Sequence, residues 1–213
     1  MAVELIERAQ IYVRDKFENE YSGHDYFHTL RVLKMATRIA EREGANLEIV
    51  QLAALLPDVD DRKLSPKTCE NQANARTFLV SNGVNENTIE MICGIIREIS
   101  FGANNSAPST LEGQCVQDAD RLDAIGAIGI ARAFAYGGNH NRHIYHPDIK
   151  PNLNMTKEEY VKSESTTINH FYEKLFNLTA RMNTKTAIQI AEAREVYMKE
   201  FVAEFMDEWD GKR

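Results

Sequence analysis

The sequence predicts an all-α fold from three observations. Apolar residues recur at helical spacing, first at Ile6, Ala9, Val13 and Phe17, which is the pattern of an amphipathic helix. The alternation of apolar and polar residues that indicates strands is nearly absent. Capping residues and glycines stand where the periodic stretches begin and end. We therefore expect one compact helical domain over residues 1–213, with a helical extension at its C-terminal end.

The next three helices are predicted from the residues that bound them. We expect helices from about Asp25 to Glu43, from Asn46 to Leu56, and from Ser65-Pro66 to Gly83. Gly44 suits a left-handed C-terminal cap of the first of these. Pro57 ends the second, because proline lacks an N–H and disfavours α geometry in the residue before it.

Later helix starts are predicted from capping-box spacing, at Asn87 with Glu90, Ser109 with Glu112, and Thr156 with Glu159. Residues 102–109 and 137–154 are predicted loops, because both are rich in Gly and Asn. The C-terminal helices should cover residues 156–210. We expect a break between two long helices near Asn183 and Thr184.

Composition limits the classes of partner. A net charge of −7 and a pI near 5.4 argue against broad binding to nucleic acids or anionic membranes, which needs clustered Lys and Arg. Three scattered cysteines, Cys69, Cys93 and Cys115, suggest buried thiols in a reducing compartment. The first residues lack the apolar core of a signal peptide. We expect a cytoplasmic protein, and the sequence leaves its oligomeric state open.

The first stretch with chemical potential is GHDYFHTLRV, residues 23–32. His24, His28 and Arg31 have the spacing of one helical face, which would present two imidazoles and a guanidinium together. Each histidine taken alone would more often be a solvated residue at a helix end, whereas the three residues together favour a site. The H-x-x-x-H spacing also occurs in zinc proteases, but Asp25 replaces their catalytic Glu and no third ligand follows.

The second stretch is LAALLPDVDDRKLS, residues 52–65. An apolar run ends in Asp58, Asp60 and Asp61, and the cations Arg62 and Lys63 follow. Carboxylates at the end of a buried helix suit a hard divalent cation, and the adjacent cations suit phosphate oxygens. An ordinary acidic turn after a core helix would have the same composition.

The third stretch, residues 116–134, places Asp120 and Asp123 on one helical face among apolar residues. Buried aspartates are costly unless they pair with Arg121 or a metal. Gly126 and Gly129 suggest the close approach of another helix. In the loop that follows, Arg142 is a candidate phosphate contact, although a solvated loop explains it equally well.

In this order, these stretches resemble the HD superfamily of metal-dependent phosphohydrolases. That family is named for a helix-borne His, a His-Asp pair and a distant Asp, which together hold a divalent metal. His28 matches the first His, Asp58 the Asp of the pair, and Asp120 the last Asp. GHDYFH, QDADRLDAIGAIGIARAFAYGG, NHFYEKL and FMDEWDG extend the resemblance, to small bacterial HD proteins, over nearly the whole chain.

One position departs from the family pattern, because Pro57 stands where the His of the His-Asp pair is expected. The resemblance therefore implies a metal site of at most three protein ligands, His28, Asp58 and Asp120. His24, Asp61 or water could fill the fourth position. Two carboxylates and one imidazole form a hard ligand set, so we expect weakly bound Mn²⁺ or Mg²⁺ rather than Zn²⁺.

The resemblance implies hydrolysis of nucleotides or other small phosphate esters, attenuated by Pro57. Asp58 would also serve as the catalytic proton acceptor. Six residues are expected to contact substrate: His24, Arg31, Asp61, Lys63, Asp123 and Arg142. The rival hypothesis is a degenerate HD domain that binds a nucleotide or partner without turnover, which Pro57 favours. A purely structural helical adaptor would not explain the interior aspartates.

Overall fold

The computed structural model describes residues 2–17, 25–60, 68, 71–100, 106–155 and 165–213. The regular structure within these residues is helical, which confirms the all-α prediction. The described helices are α1 (Ala2–Phe17), α2 (Tyr26–Glu43), α3 (Leu47–Leu55), α4 (Ala73–Ser81), α5 (Glu86–Ser100), α6 (Leu111–Asp123), α7 (Gly126–Asn139), α8 (Thr167–Glu173) and α9 (Lys185–Trp209). Short 3₁₀ turns occupy Asp58–Asp60, Leu175–Asn177 and Thr179–Arg181. None of the described helices has both the length and the apolar character needed to cross a membrane.

The chain divides into two compact units. The first comprises Met1–Asp120 with Asn183–Ala187, and the second comprises Arg121–Met182 with Ile188–Arg213. Helices α6 and α9 therefore each contribute residues to both units. Organisation as a single domain over residues 1–213 stays a prediction.

Helix α3 forms the centre of the first unit. It packs against α1, α2 and α5, and Leu52, Leu55 and Leu56 are completely buried. Burial of each such side chain contributes about 1.5–3 kcal/mol. The Asn46 side chain accepts a hydrogen bond from the Ile49 N–H at 3.2 Å, so α3 starts where its cap predicted. It ends just before Pro57, also as predicted.

Helix α2 has the predicted boundaries. The Asp25 side chain accepts a hydrogen bond from the His28 N–H at 2.7 Å, which satisfies one of the free donors in the first turn. Gly44 has a φ of 76° and donates its N–H to the Ala40 carbonyl. Because an L side chain is strained in this left-handed conformation, glycine is the favoured residue there.

Helix α4 begins later than predicted. The expected start at Ser65-Pro66 lies outside the described residues, and the observed helix starts at Ala73. The residue before it, Gln72, has a φ of 53°. A helix cannot run through a left-handed residue, so Gln72 sets the start of α4. Gly83 closes the turn after the helix with a φ of 73°, as predicted.

Two of the predicted capping boxes are wrong. Asn85 rather than Asn87 caps α5, because its side chain accepts the Thr88 N–H at 3.0 Å. At α6 the Thr110 hydroxyl accepts the Gly113 N–H at 3.1 Å. Ser109, two residues before the helix, instead bonds to Glu98 through its N–H and its hydroxyl. In each case a nearby polar residue that can also cap a helix took the position. The box at Thr156 lies outside the described residues.

A buried carboxylate joins α6 to the start of α9 within the first unit. Asp118 is completely buried, and its two oxygens accept five hydrogen bonds, at 2.8–3.1 Å, from Asn183 and Thr184. Burial raises the pKa of Asp118, and these hydrogen bonds oppose that rise. The Thr184 hydroxyl also accepts the Ala187 N–H at 3.2 Å, so the predicted break near 183–184 is the N-terminal cap of α9.

The second unit is built around aromatic side chains. The ring centroids of Phe134, Phe171 and Phe201 lie 5.9–6.2 Å apart. The loop after α7 docks on the start of α8, where the Thr167 and Ile168 N–H groups donate to carbonyls of residues 143 and 144. Instead of the first of two long C-terminal helices, the structure has the short α8 and two 3₁₀ turns before α9.

In the second unit, Gly126 lies against another helix, as predicted, whereas Gly129 lies against the turn that precedes its own helix. Gly126 has a φ of 75°, and the side chain of Arg194 lies within 2.9 Å of where a Cβ would stand. A Cβ at Gly129 would collide with the Ala124 carbonyl. The predicted pairing partner Arg121 donates to the Arg181 carbonyl.

Replacing Asp118 with Asn should destabilise the protein strongly. Both carboxylate oxygens accept backbone N–H groups, so the amide nitrogen of Asp118→Asn would face a donor at either position. We expect the free energy of unfolding, measured with urea, to fall by roughly 2–4 kcal/mol. The exposed Asp148→Asn change is the control and should leave it within about 0.5 kcal/mol. Equal stability of the two variants would contradict this assignment.

Candidate metal centre

His28 is held rigidly in the first turn of α2. Its N–H is bound by the Asp25 cap, and the residue is only 4% exposed. Its ring nitrogen Nε2 lies 3.4 Å from Oδ1 of Asp120. A largely buried imidazole thus meets an exposed carboxylate.

Asp120 lies in α6, two residues after the buried Asp118. Residues two apart on a helix face nearly opposite directions. Asp118 therefore faces inward, and the Asp120 side chain stays 61% exposed beside His28. The exposure leaves room for a ligand that both residues contact.

The separation of His28 and Asp120 suits two ligands of one metal ion. Donor atoms that each lie about 2.1 Å from a common ion are roughly 3.0–3.4 Å apart in octahedral or tetrahedral geometry. The observed 3.4 Å is at the upper end of this range. An imidazole with a carboxylate is also a common donor pair for divalent ions. These two residues therefore fit a divalent metal in both spacing and chemistry.

Asp58 is the first residue of the 3₁₀ turn that follows α3, and it is half-buried. Within the described residues, however, no group of three or more His, Cys, Asp or Glu side chains is arranged to hold a metal ion. The structure brings together His28 and Asp120 but does not add Asp58 to them. The role of Asp58 as a third ligand stays a prediction.

The other predicted site residues are distributed as follows. Arg31 is half-buried on α2, one turn after His28. In the second unit, Asp123 is buried, and its carboxylate forms an ion pair with the Arg132 guanidinium at 2.5 Å. Also in that unit, the Arg142 guanidinium lies 5.6 Å from the centre of the Tyr136 ring. Three more predicted contacts, His24, Asp61 and Lys63, lie outside the described residues.

Two aspartates that sequence reasoning did not select as site residues are structurally central. Asp118 anchors α9, and the buried Asp60 binds the start of α4 through the N–H groups of Asn74 and Ala75. The negative charge of Asp60 also contributes to the raised pKa of Tyr12, for which burial is the larger cause. Their sequence neighbours have the same side chain, so no local signal separated anchors from candidate ligands.

The described cysteines are structural. Cys93 and Cys115 are buried, and burial, the largest cause in each case, raises the pKa of both thiols, that of Cys115 to about 12. A thiol with a raised pKa is a poor nucleophile and metal ligand at neutral pH. Neither residue belongs to the candidate centre.

His170 on α8 has a strongly lowered pKa. Burial, reinforced by the positive charges of Lys174 and Arg142, lowers its pKa to about 4. The imidazole is therefore neutral at physiological pH. Protonating it in the folded protein would place a cation in an apolar site beside two others.

A family model, a curated relative and two solved structures all relate this chain to HD-domain proteins or their relatives. Residues 25–125, which include His28, Asp58 and Asp120, match the HD domain model. YpgQ of Bacillus subtilis is 37% identical over 199 residues, which cover 92% of this chain and 89% of YpgQ. An HD-superfamily hydrolase from Bacillus thuringiensis superimposes with a TM-score of 0.81 and 40% identity over 99% of each chain. The structure of YpgQ in complex with ADP superimposes with a TM-score of 0.79 and 32% identity, over 97% of this chain and 96% of that one.

The stability of the protein should fall in acid partly because of His170. Its pKa is lower in the folded state, about 4, than in the unfolded state, about 6.5. The unfolded state therefore binds more protons, so stability present above pH 6.5 is lost as pH falls toward 4. The loss from this residue is at most about 3 kcal/mol.

Urea unfolding of His170→Gln at pH 7.5 and pH 5 measures this loss. The variant should lose less stability between the two values than the parent protein does. The exposed His143→Gln change is the matched control and should follow the parent. Identical pH dependence in all three proteins would show that His170 titrates normally.

Proposed function

Because the chain belongs to the HD superfamily, we propose that it is a metal-dependent phosphohydrolase acting on nucleotides or other small phosphate esters. The observation that carries the proposal is the 3.4 Å pair between the buried His28 imidazole and the exposed Asp120 carboxylate. The similarity to an HD-superfamily hydrolase supports hydrolysis as the reaction class. The ADP bound to YpgQ supports a phosphate-containing small molecule as the substrate. We also retain the prediction that the protein is cytoplasmic.

His28, Asp120 and Asp58 would hold the metal. When bound, such an ion supplies Lewis acidity toward a phosphoryl oxygen and lowers the pKa of water. His28 would bind through Nε2, the atom that already faces Asp120. The residue is almost entirely buried, so the ring should change its orientation little on binding. Asp58 would also accept the proton of the attacking water, since it is half-buried and matches the Asp of the family's His-Asp pair.

Cations close to the proposed ligands would orient the phosphate. Arg31 lies one turn after His28 on α2, where its guanidinium can approach an anion near the imidazole. His24 and Lys63 are proposed for the same role, and Asp61 as a replacement for the missing ligand. We leave Asp123 out of the substrate contacts, because its carboxylate is bound by Arg132.

Pro57 determines how strongly the metal is held. It offers no side-chain donor at the position of the family His, so the site keeps at most three of the four ligands in the family pattern. Loss of outer-shell contacts alone weakens metal sites about 10- to 100-fold. We therefore propose weak binding of Mn²⁺ or Mg²⁺, in preference to Zn²⁺, at a carboxylate-rich site. Pro57 also supports the second candidate function, ligand binding without turnover.

The Asp120→Asn variant tests whether the His28–Asp120 pair binds the metal. After chelation and readdition of Mn²⁺, Mg²⁺ or Zn²⁺, phosphate release is measured from a panel of nucleotides and simple phosphate esters. The amide removes one charged ligand, so Mn²⁺-dependent kcat/KM should fall at least about 10-fold. Asp148→Asn, at an exposed position of the second unit, should retain parental activity. Metal-dependent hydrolysis that survives Asp120→Asn unchanged would exclude Asp120 from the site.

The Pro57→His variant tests the missing ligand. It supplies an imidazole at a helix end that tolerates either residue, so Mn²⁺ affinity and hydrolysis should rise together. Adding Asp58→Ala to Pro57→His should abolish the gain, since the neighbouring carboxylate is then lost. Calorimetry and phosphate release on the same samples measure both effects. Tight Mn²⁺ binding by Pro57→His without hydrolysis of any substrate in the panel would replace the enzyme hypothesis with the binding hypothesis.

A further inference from the structure

The turn that carries Asp58 is bound to the start of helix α4. Inside the turn, the Asp60 N–H reaches the Pro57 carbonyl only at 3.4 Å, and Pro57 has no N–H to contribute. The Asp60 side chain, by contrast, is buried. Its Oδ1 and Oδ2 accept the N–H groups of Asn74 and Ala75 at 3.1 and 2.9 Å.

Asn74 holds the same turn from the other direction. Its side-chain amide donates to the Val59 carbonyl at 2.9 Å and to the Thr68 hydroxyl, also at 2.9 Å. The contacts of Asp60 and Asn74 thus connect two successive residues of the turn, Val59 and Asp60, to the first turn of α4. Asp58, the residue before Val59, lies in the turn that these contacts hold.

The backbone of α4 is arranged for this contact. Gln72, its N-terminal flanking residue, makes no side-chain capping hydrogen bond, and its φ of 53° is unusual for a residue with a side chain. Two N–H groups of the first turn, those of Asn74 and Ala75, donate instead to Asp60, which lies 14 residues before Asn74. A distant carboxylate in place of the usual neighbouring cap couples the position of α4 to that of the turn.

We propose that Asp60 and Asn74 are positioning residues: they fix the backbone of the turn from which the Asp58 carboxylate would reach the metal. This inference rests on the proposed function, in which Asp58 is a metal ligand. Losing the Asn74 side chain frees the Val59 carbonyl, so the turn can rotate and Asp58 can leave the direction that binding requires. The expected result is weaker metal binding without loss of the fold.

Mn²⁺ titration by calorimetry tests the inference directly, with stability measured in parallel by urea unfolding. Asn74→Ala should weaken Mn²⁺ binding about 10-fold, the lower end of what lost support around a ligand causes. The matched control is Asn82→Ala, at the other end of α4, where the amide donates to the Phe78 carbonyl at 2.8 Å. It removes a similar hydrogen bond from the same helix and should leave Mn²⁺ affinity unchanged.

A second pair of variants separates positioning from folding. Asp60→Asn keeps one acceptor oxygen and should bind Mn²⁺ with an affinity between those of the parent and Asp60→Ala. The titrations are run in the natural chain and in Pro57→His. Equal affinities of Asn74→Ala and Asn82→Ala, with the parent binding Mn²⁺, would overturn the inference alone. Absence of Mn²⁺ binding in both backgrounds would overturn the proposed function and the inference together.

Discussion

Aspartate carboxylates that accept hydrogen bonds from backbone N–H groups at helix starts fix the geometry of the first unit. Asp118 is the strongest case, because one buried side chain accepts hydrogen bonds from both residues before α9. It sets the rotation of α6, since its side chain must face residues 183 and 184. Asp120, two residues later, is thereby turned outward to His28. The exposed position of one candidate ligand is thus a consequence of a buried contact.

The same relation occurs at each proposed ligand. Asp25 precedes His28 by three residues and binds its N–H. Asp60 follows Asp58 by two residues and binds the start of α4. These three anchors, Asp25, Asp60 and Asp118, stabilise helix starts, because their carboxylate oxygens accept backbone N–H groups. A metal ligand needs a lone pair that no backbone donor occupies, so the anchors themselves are poor candidates.

The sequence predicted helices wherever the signals were local. The boundaries of α2 and the ends of α3 follow from Asp25, Gly44, Asn46 and Pro57, and each acts within a few residues of its own position. The start of α4 was missed, because it depends on a left-handed Gln72 that no composition rule predicts. The caps at Asn85 and Thr110 were missed because polar residues close to them can also cap a helix. Tertiary contacts, such as that of Ser109 with Glu98, decide which residue takes the position.

The candidate site was predictable in part. His28 and Asp120 were selected from the family pattern, and the fold brings them together across 92 residues of chain. The roles of Asp60 and Asp118 depend on partners 14 and 65 residues away. Sequence patterns contain no information on such pairings when every candidate is an aspartate. The ion pair of Asp123 with Arg132 was missed for the same reason.

The central claim is that His28 and Asp120 hold one divalent metal ion. Crystals grown with Mn²⁺ and measured at the manganese absorption edge test it most directly. The account predicts an anomalous peak about 2.1–2.2 Å from both His28 Nε2 and an Asp120 carboxylate oxygen. A manganese peak bound by other residues, with the His28–Asp120 pair still in direct contact, would contradict it.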